Sequence, residues 1–526
     1  MRLCNKAPRY LVLGIILLTG LWLRTDGLKW GIPKAPYGRS YHPDETVAFA
    51  NILNMGAPGQ KLNPHYFINP TFHYYLIGSV WWLAGSLRLV PSLQEIVADS
   101  PTVTLDAVTR IWLLARSISV ALGVLTIWLT YLAGREFFKN GVAALTAAWL
   151  AAVMPTLVVQ SHYMAVDGPV GFWFLAALLL LLRAFRGDRL WLWAAAGLAA
   201  GISTATKYNA IVGIISVFIV LCFRQIKGSD ERFGSLPINA PVFAGGLLAG
   251  FLIGCPHAVL SFSEWKEGLR GLIYYNDFAT DWLYPWLHTS RFSLGWPGWI
   301  LFLVSLLAIF IKPDRRGMIL AAAIFPYFLI YGYKASPYMR HLVLVVPLML
   351  LLVVYAAEKA LRSIGRRSLK AMVAVMLILA SGYALANSLA WLKIMSGQDT
   401  REEAADYVRQ SAPPGSDVGL AGRSWFYTPP LDEGVYNLIR LEYQPDKLEY
   451  FHPPLLIMSE YESQQYAFCQ VTPAVRSGFF RLLKDIYRVK RTFKRVPRCC
   501  GLSFEGYPLA DWNYFYPTIT VYERSF

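Results

Sequence analysis

The sequence predicts a polytopic α-helical membrane protein with a small external α/β domain at its C-terminal end. Apolar runs recur from residue 10 to residue 392, and many are about 18–20 residues long, which is enough to cross a bilayer. Only 16% of the 526 residues are charged, against roughly 25% in soluble proteins. Lys and Arg are concentrated in alternate short loops between the apolar runs, as in cytoplasmic loops of membrane proteins.

The net charge of +16 raises the question of a nucleic-acid partner. The basic residues flank apolar runs instead of forming one continuous patch, so they indicate membrane topology. The sequence therefore predicts a membrane lipid environment and no nucleic acid.

The chain begins with an apolar run that resembles the centre of a signal peptide. Arg2, Lys6 and Arg9 precede the run Leu11–Leu23. The residues that follow the run are bulky and charged, so no small-residue cleavage site is present. We expect an uncleaved anchor whose N-terminus is cytoplasmic.

The alternation of basic and acidic loops predicts eleven membrane spans. With the first span crossing outward, residues 24–106 form the first external loop, and the basic loops fall in the cytoplasm. The predicted spans are 11–23, 109–133, 142–160, 169–185, 190–206, 208–223, 240–260, 294–311, 317–334, 342–358 and 371–392.

The apolar segment Phe72–Val90 does not fit this count as a single crossing, because it would place the basic loops outside. We expect it to lie in the membrane interface or to enter and return, as its Trp81 and Trp82 suggest. The alternative is a true crossing paired with a second span that the hydropathy does not reveal.

The composition changes after Trp391, so we divide the chain into a membrane domain, 1–392, and an external α/β domain, 393–526. Thr400 and Glu403 have capping-box spacing and predict a helix to about Gln410. Leu455–Met458 and Thr518–Tyr522 read as short strands.

Two features of the C-terminal domain each allow more than one interpretation. The basic stretch Arg476–Arg498 is either a solvated face or a contact for anionic lipid or polysaccharide. Cys469, Cys499 and Cys500 allow one disulfide in an oxidising compartment, but an odd number leaves the pairing undetermined.

The first external loop carries the catalytic candidates Asp44 and Glu45, with His42 as a substrate-binding candidate before Pro43. Asp44 can act as a base, or it can be an acid that favours a helix start. Glu45 can orient an acceptor, raise the pKa of Asp44, or face water. His42 can bond the acid or a phosphate, or serve a local structural role.

Two further candidates stand at external ends of later spans. Asp167 is a second active-site carboxylate or an N-terminal acid ahead of Pro169. Lys207, followed by Tyr208 at a helix–helix turn, is a candidate for binding a donor phosphate, and the alternative is an interfacial lysine.

Arg340 and His341 open another span on the same predicted side and can bind phosphate or anchor the interface. Arg116 lies inside its span, where an arginine is functional unless a neighbouring helix pairs it. His65 and His73 could join Asp44 around a divalent metal, but their spacing is not diagnostic and we assign no metal ligands.

Several short motifs share their order with a known family. They are His42-Pro43-Asp44-Glu45, Asn63-Pro64-His65-Tyr66, Asn69-Pro70, Ala115-Arg116, Ser161-His162-Tyr163 to Asp167, Gly201 to Lys207-Tyr208-Asn209, and Pro337 to Arg340-His341. Together they resemble GT-C superfamily glycosyltransferases, and most closely the bacterial relatives of protein O-mannosyltransferases and of aminoarabinose transferases.

The resemblance implies a GT-C membrane domain, a polyprenyl-phosphate sugar donor used on the external face, and inversion at the anomeric carbon. It assigns the base to Asp44. One departure matters: the stretch aligned with the acid and Lys-Pro-Pro of the aminoarabinose transferases reads Phe67-Ile68-Asn69-Pro70-Thr71. This argues against the same metal site and a lipid A acceptor.

The predicted function is therefore transfer of a sugar from a polyprenyl-phosphate donor to an envelope acceptor, which can be a glycan, lipid or protein. We expect a plasma or inner membrane location with the active site and C-terminal domain outside. A lipid-linked sugar flippase or transporter is the main alternative, and a structural assembly subunit is a third.

Overall fold

A computed structural model describes residues 7–34, 38–98, 103–187, 189–227, 236–275, 280–334, 338–422, 427–460, 462–463, 471–504 and 514–525. These residues form two compact units. The helical unit comprises the described parts of 1–26, 47–103 and 110–389. The C-terminal unit comprises those of 27–46, 104–109 and 390–526, so it includes part of the predicted first external loop.

Helices dominate the chain up to residue 395. In order they are α1 Ala7–Thr25, α2 Pro43–Gly56, α3 Phe72–Ser86, α4 Leu93–Val97, α5 Leu105–Phe137, α6 Gly141–Val153, α7 Pro155–Val159, α8 Asp167–Ala184, α9 Leu190–Thr206, α10 Ala210–Lys227, α11 Leu236–Gly254, α12 His257–Leu260, α13 Phe262–Tyr275, α14 Ser290–Ile311, α15 Arg315–Tyr333, α16 Val346–Ser363 and α17 Arg367–Met395. Short 3₁₀ or π turns cover Gln160–His162, Pro285–Thr289 and Met339–Leu342.

Length and composition identify the membrane-crossing helices of the described chain. Five are long and apolar enough to cross, or six if α6 and the bent segment after it form one span. Three shorter apolar helices are Leu190–Thr206, Ala210–Phe223 and Ile238–Gly254. The protein is a multi-pass membrane protein, and the count of eleven spans stays a prediction.

The segment predicted to avoid a crossing forms α3, which has 15 residues. A crossing helix needs about 17–25 residues. Its length therefore favours the interfacial location, which stays a prediction.

The predicted span 142–160 is not one straight helix. α6 ends at Val153, and the segment Pro155–His162 continues at an angle of 59°. Pro155 has no backbone N–H, and it holds the preceding Met154 in an extended conformation with φ −69° and ψ 120°. The hydropathy gave no sign of this break because both parts are apolar.

Glycines bring α9 and α11 into backbone contact. A Cβ atom on Gly197 or Gly201 of α9 would lie 2.1 Å from a carbonyl oxygen of α11. On α11, a Cβ on Gly246 or Gly250 would lie 2.5 or 2.2 Å from a carbonyl oxygen of α9. Small residues spaced four apart let two membrane helices approach this closely.

The C-terminal unit is built on a five-stranded mixed sheet with strand order β2-β1-β3-β7-β4. β1 is parallel to β2 and β3, whereas β7 is antiparallel to β3 and β4. The strands are β1 Asp417–Leu420, β2 Asn437–Arg440, β3 Leu455–Ser459, β4 Tyr487–Phe493 and β7 Ile519–Arg524, with a separate pair, β5 Arg498–Cys499 and β6 Leu502–Ser503. Both predicted strands and the α/β class are thereby confirmed.

Helices with fully described bounds accompany the sheet, among them α18 Thr400–Ser411, α19 Pro445–Phe451 and α20 Pro473–Ile486. Ala404, Ala405 and Val408 of α18 pack in one core with side chains from the sheet. The predicted capping box is wrong, because the N-cap residue is Asp399, which accepts a hydrogen bond from the Arg401 N–H at 2.9 Å.

The close approach of α9 and α11 predicts unequal effects of two adjacent substitutions. Gly246→Ala should destabilise the protein by about 1–3 kcal/mol, because its Cβ meets backbone and the helices must separate. Gly245→Ala is the control, since no atom lies within 4 Å of its Cβ position. Thermal unfolding in detergent measures the melting temperatures of both variants. Equal values would contradict the close packing of α9 against α11.

Candidate active site

A buried ion pair joins the ends of two apolar helices in the helical unit. Lys207 follows the last residue of α9 in an extended conformation, and its ammonium group donates a hydrogen bond to the carboxylate of Asp167, the first residue of α8. The side chains are 14% and 5% exposed, respectively. The two candidates therefore meet, although 40 positions separate them.

The carboxylate keeps the lysine charged. Burial lowers the pKa of Lys207, but the Asp167 carboxylate raises it and prevails, so the pKa lies above its ordinary value. Asp167 also stands at the N-terminus of α8, where the helix dipole favours negative charge. Its role as a helix-start acid and its role as a partner of Lys207 are thus compatible.

A cavity of about 560 Å³ opens beside this pair. Its wall combines polar and apolar side chains from the helical unit, and Trp282 and Leu329 in that wall are 53% and 48% exposed. The lining residues are Ile68, Asn69, Lys207, Tyr208, Asn209, Leu272, Trp282, Leu329, Ile330, Tyr331, Tyr333, Lys334 and His341. Two lysines, Lys207 and Lys334, in a mostly apolar wall suit an amphiphile with an anionic head.

Tyrosines of α15 hold the turn after Lys207. Asn209 donates its side-chain N–H to the hydroxyl of Tyr331, and the Tyr327 hydroxyl donates to the Asn209 carbonyl at 3.1 Å. The Tyr208 hydroxyl donates to the carbonyl of Phe67 at 3.1 Å. The sequence reasoning missed Tyr327 and Tyr331; their spacing of four places them on one face of a helix, which was the available signal.

Arg340 and His341 belong to the same neighbourhood. The Arg340 guanidinium lies over the Tyr338 ring at 4.2 Å, and the His341 ring stacks on Tyr331 at 4.8 Å between centroids. Burial, together with the charges of Lys207 and Arg340, holds the pKa of His341 well below its ordinary value. His341 is therefore neutral at pH 7, and its buried Nδ1 has no hydrogen-bond partner among the described residues.

Arg116 and Arg24 are both fully buried in the helical unit. Arg24 donates to the carbonyls of Ala151 and Ala152 at 3.1 and 3.0 Å, at the end of α6. A broken helix leaves carbonyls without helical donors. Arg24 thus bonds carbonyls next to the break at Pro155, whereas Arg116 is not among the residues that line the cavity.

The first-loop candidates lie in the C-terminal unit. Asp44 occupies the first turn of α2 and is partly exposed, whereas Glu45 is fully buried and accepts a hydrogen bond from the Ser40 hydroxyl at 2.6 Å. The interpretation in which Glu45 faces water is therefore wrong. The His42 ring is buried against Tyr514, with 5.2 Å between centroids.

The described geometry thus brings Asp167, Lys207, Tyr208, Arg340 and His341 together within the helical unit. His42, Asp44 and Glu45 form a second group in the C-terminal unit. The convergence of the two groups on one substrate stays a prediction, and Pro337, part of one family motif, lies outside the described residues.

The metal hypothesis gains no support from the described residues, among which no group of three His, Cys, Asp or Glu side chains could hold an ion. His65 bonds Glu264 at 2.8 Å and Gln60 at 2.5 Å, and His73 is buried in α3.

Of the three C-terminal cysteines, Cys469 lies outside the described residues. Cys499 and Cys500 are free thiols with their sulfur atoms 3.5 Å apart. The one disulfide that the sequence allows stays a prediction.

Comparison with known proteins first identifies the class of fold. A family model described as dolichyl-phosphate-mannose-protein mannosyltransferase matches residues 111–238, which include α8, α9 and the Lys207 turn. No curated protein has a sequence that matches this chain. The family match covers less than half of the chain, so it supports the class without establishing membership.

Two solved structures share the architecture. The archaeal oligosaccharyltransferase AglB from Archaeoglobus fulgidus, in complex with an inhibitory peptide and a dolichol-phosphate, is 13% identical; the match covers 97% of this chain and 75% of AglB, with a TM-score of 0.51. ArnT from Cupriavidus metallidurans, bound to undecaprenyl phosphate, is also 13% identical; the match covers 98% of both chains, with a TM-score of 0.51. The chain therefore has the GT-C fold, which confirms the predicted fold class.

The Lys207–Asp167 pair predicts a specific pattern of stability. Lys207→Met should destabilise the protein by about 3–5 kcal/mol, because it leaves the Asp167 carboxylate buried without its counter-charge. Replacing both residues, as Lys207→Met with Asp167→Leu, should recover most of this loss.

Lys359→Met is the matched control, because its pair with Asp314 is 42% and 28% exposed and contributes at most about 1 kcal/mol. Chemical unfolding in detergent measures the free energy of unfolding of each variant. If Lys207→Met were no less stable than Lys359→Met, the Lys207–Asp167 pair would not be needed for the stability of the helical unit.

Proposed function

We propose that the protein is an integral-membrane glycosyltransferase that moves a sugar from a polyprenyl-phosphate donor to an envelope acceptor. The observation that carries this proposal is the Lys207–Asp167 pair beside a mostly apolar cavity of about 560 Å³. Such a cavity offers a cation to a phosphate and apolar surface to a prenyl chain. The GT-C fold and the family match over 111–238 support the reaction class.

Lys207 is the proposed ligand of the donor phosphate. As the bond between the anomeric carbon and the phosphate oxygen breaks, negative charge grows on the phosphate, and a fixed ammonium in a site of low dielectric stabilises that charge. Arg340 adds a second cation, and neutral His341 can donate a hydrogen bond. Asp167 holds the ammonium in place until the phosphate arrives.

Asp44 is the proposed base. The acceptor hydroxyl attacks the anomeric carbon while its proton passes to the Asp44 carboxylate, and the bonding electrons leave with the phosphate. Displacement from the face opposite the phosphate inverts the anomeric centre. The partial exposure of Asp44 at the start of α2 fits a carboxylate that an acceptor can reach.

The donor class also draws support from the two structural relatives, which were solved with a dolichol-phosphate and with undecaprenyl phosphate. We propose that the reaction occurs at the external side of the plasma or inner membrane. The acceptor is then a glycan, lipid or protein of the envelope.

Asp44→Asn should reduce sugar transfer by about 10²–10⁴-fold, the usual contribution of general base catalysis. Purified protein is incubated with synthetic undecaprenyl-phosphate hexoses and pentoses and solubilised envelope membranes, and released undecaprenyl phosphate is quantified. Asp106→Asn is the control, because this exposed acid lies in the same predicted loop.

Undiminished release by Asp44→Asn would remove this residue as the base. Movement of intact donor across vesicle bilayers by wild-type protein, without release of undecaprenyl phosphate, would instead indicate a flippase.

A further inference from the structure

The peptide that precedes Asp44 is held by a fully buried arginine of the C-terminal unit. The Arg401 side chain, at the start of α18, donates to Asp399 through Nε at 2.7 Å and through Nη2 at 2.6 Å. Nη2 also donates to the carbonyl of Tyr514 at 2.8 Å. A two-point pair with a carboxylate fixes the plane of the guanidinium as well as its position.

The face of this fixed plane contacts the first-loop peptide. The Arg401 Cζ atom lies 3.9 Å from the centre of the Tyr41 ring and 5.7 Å from that of Trp30. Trp30 is itself anchored, because its ring N–H donates to Asp399 at 3.2 Å. The cation–π contact with Tyr41 is not needed to balance the charge of Arg401, since Asp399 does so.

The next residue is held through the same cluster. The His42 ring packs edge-on against Tyr514, whose carbonyl accepts a hydrogen bond from Arg401. Tyr41 therefore contacts Arg401 directly, and His42 contacts Tyr514, which Arg401 bonds. Pro43 then restricts the backbone, and Asp44 follows in the first turn of α2.

We propose that Arg401 is a positioning residue for the catalytic base, acting through Tyr41 and His42 on the place of the Asp44 carboxylate. This inference rests on the proposed function, because it assumes that Asp44 is the base. It gives the C-terminal unit a role in the chemical step. A displacement of about 1 Å at a reacting group can cost about 10²-fold in rate.

The test separates the planar face of Arg401 from its charge. Arg401→Lys keeps a cation beside Asp399 but loses the plane and the second hydrogen bond. Tyr41→Leu removes the aromatic ring that contacts the Arg401 guanidinium, whereas Tyr41→Phe keeps this ring. We expect kcat to fall about 10–100-fold in Arg401→Lys and Tyr41→Leu, with the donor KM within about twofold of wild type. Tyr41→Phe should retain most of the activity.

The two losses should not add when combined, because they remove one contact. Arg440→Lys is the matched control, since this arginine of the same unit is paired with an exposed Glu433. Transfer is assayed with the undecaprenyl-phosphate sugar that wild-type protein uses, and melting temperature in detergent reports folding. If Arg401→Lys does not fold, the comparison of kcat between Tyr41→Leu and Tyr41→Phe tests the positioning role instead.

Wild-type kcat in folded Arg401→Lys or in Tyr41→Leu would overturn the inference, as would equal loss in Tyr41→Phe and Tyr41→Leu. Asp44→Asn is assayed in parallel so that the two proposals fail separately. Full activity of Asp44→Asn removes the proposed base, whereas an inactive Asp44→Asn beside an active Arg401→Lys removes only the positioning role.

Discussion

A lysine ammonium among apolar helices is stable only with an anion beside it, and in this protein the anion is Asp167. The pair meets at the ends of α8 and α9, so the packing of these helices decides whether Lys207 stays charged. α9 in turn lies against α11 at backbone distance through four glycines. The proposed phosphate site thus depends on helix packing some distance from it.

The same constraint explains the polar groups around the cavity. A charged group in an apolar wall requires an ordered turn, and Tyr327 and Tyr331 supply that order by bonding Asn209. His341 is neutral because its burial, and after that the charges of Lys207 and Arg340, lower its pKa. Electrostatics therefore accounts for a site with one buried ammonium, one neighbouring guanidinium and one neutral imidazole.

Hydropathy and charge order were sufficient to predict the membrane class, most helix locations and the C-terminal α/β fold. Short sequence patterns were sufficient to predict the start of α2 and two strands of the sheet. They failed where two local signals competed, as at Asp399 and Thr400, both of which are good N-cap residues. Pro155 was visible in the sequence, but proline alone does not distinguish a bend from a continuing span.

The candidate site divides in a similar way. A lysine between two apolar runs identified Lys207, but nothing local indicated that Asp167 would be its partner. The burial of Glu45 depends on the fold of its own loop. The stacking of Arg401 on Tyr41 joins residues that are distant in sequence. Such contacts have no periodicity or spacing for a sequence pattern to reveal.

A cryo-EM structure of the full chain in lipid nanodiscs with undecaprenyl phosphate tests most directly whether Lys207 binds the donor phosphate within reach of Asp44. The account predicts a phosphate oxygen about 2.7–2.9 Å from the Lys207 Nζ atom. It also predicts prenyl density along Leu272, Trp282 and Ile330, with the Asp44 carboxylate one sugar ring away from the phosphate. Phosphate bound elsewhere while Lys207 contacts Asp167 alone, or Asp44 too distant for a sugar to bridge, would contradict it.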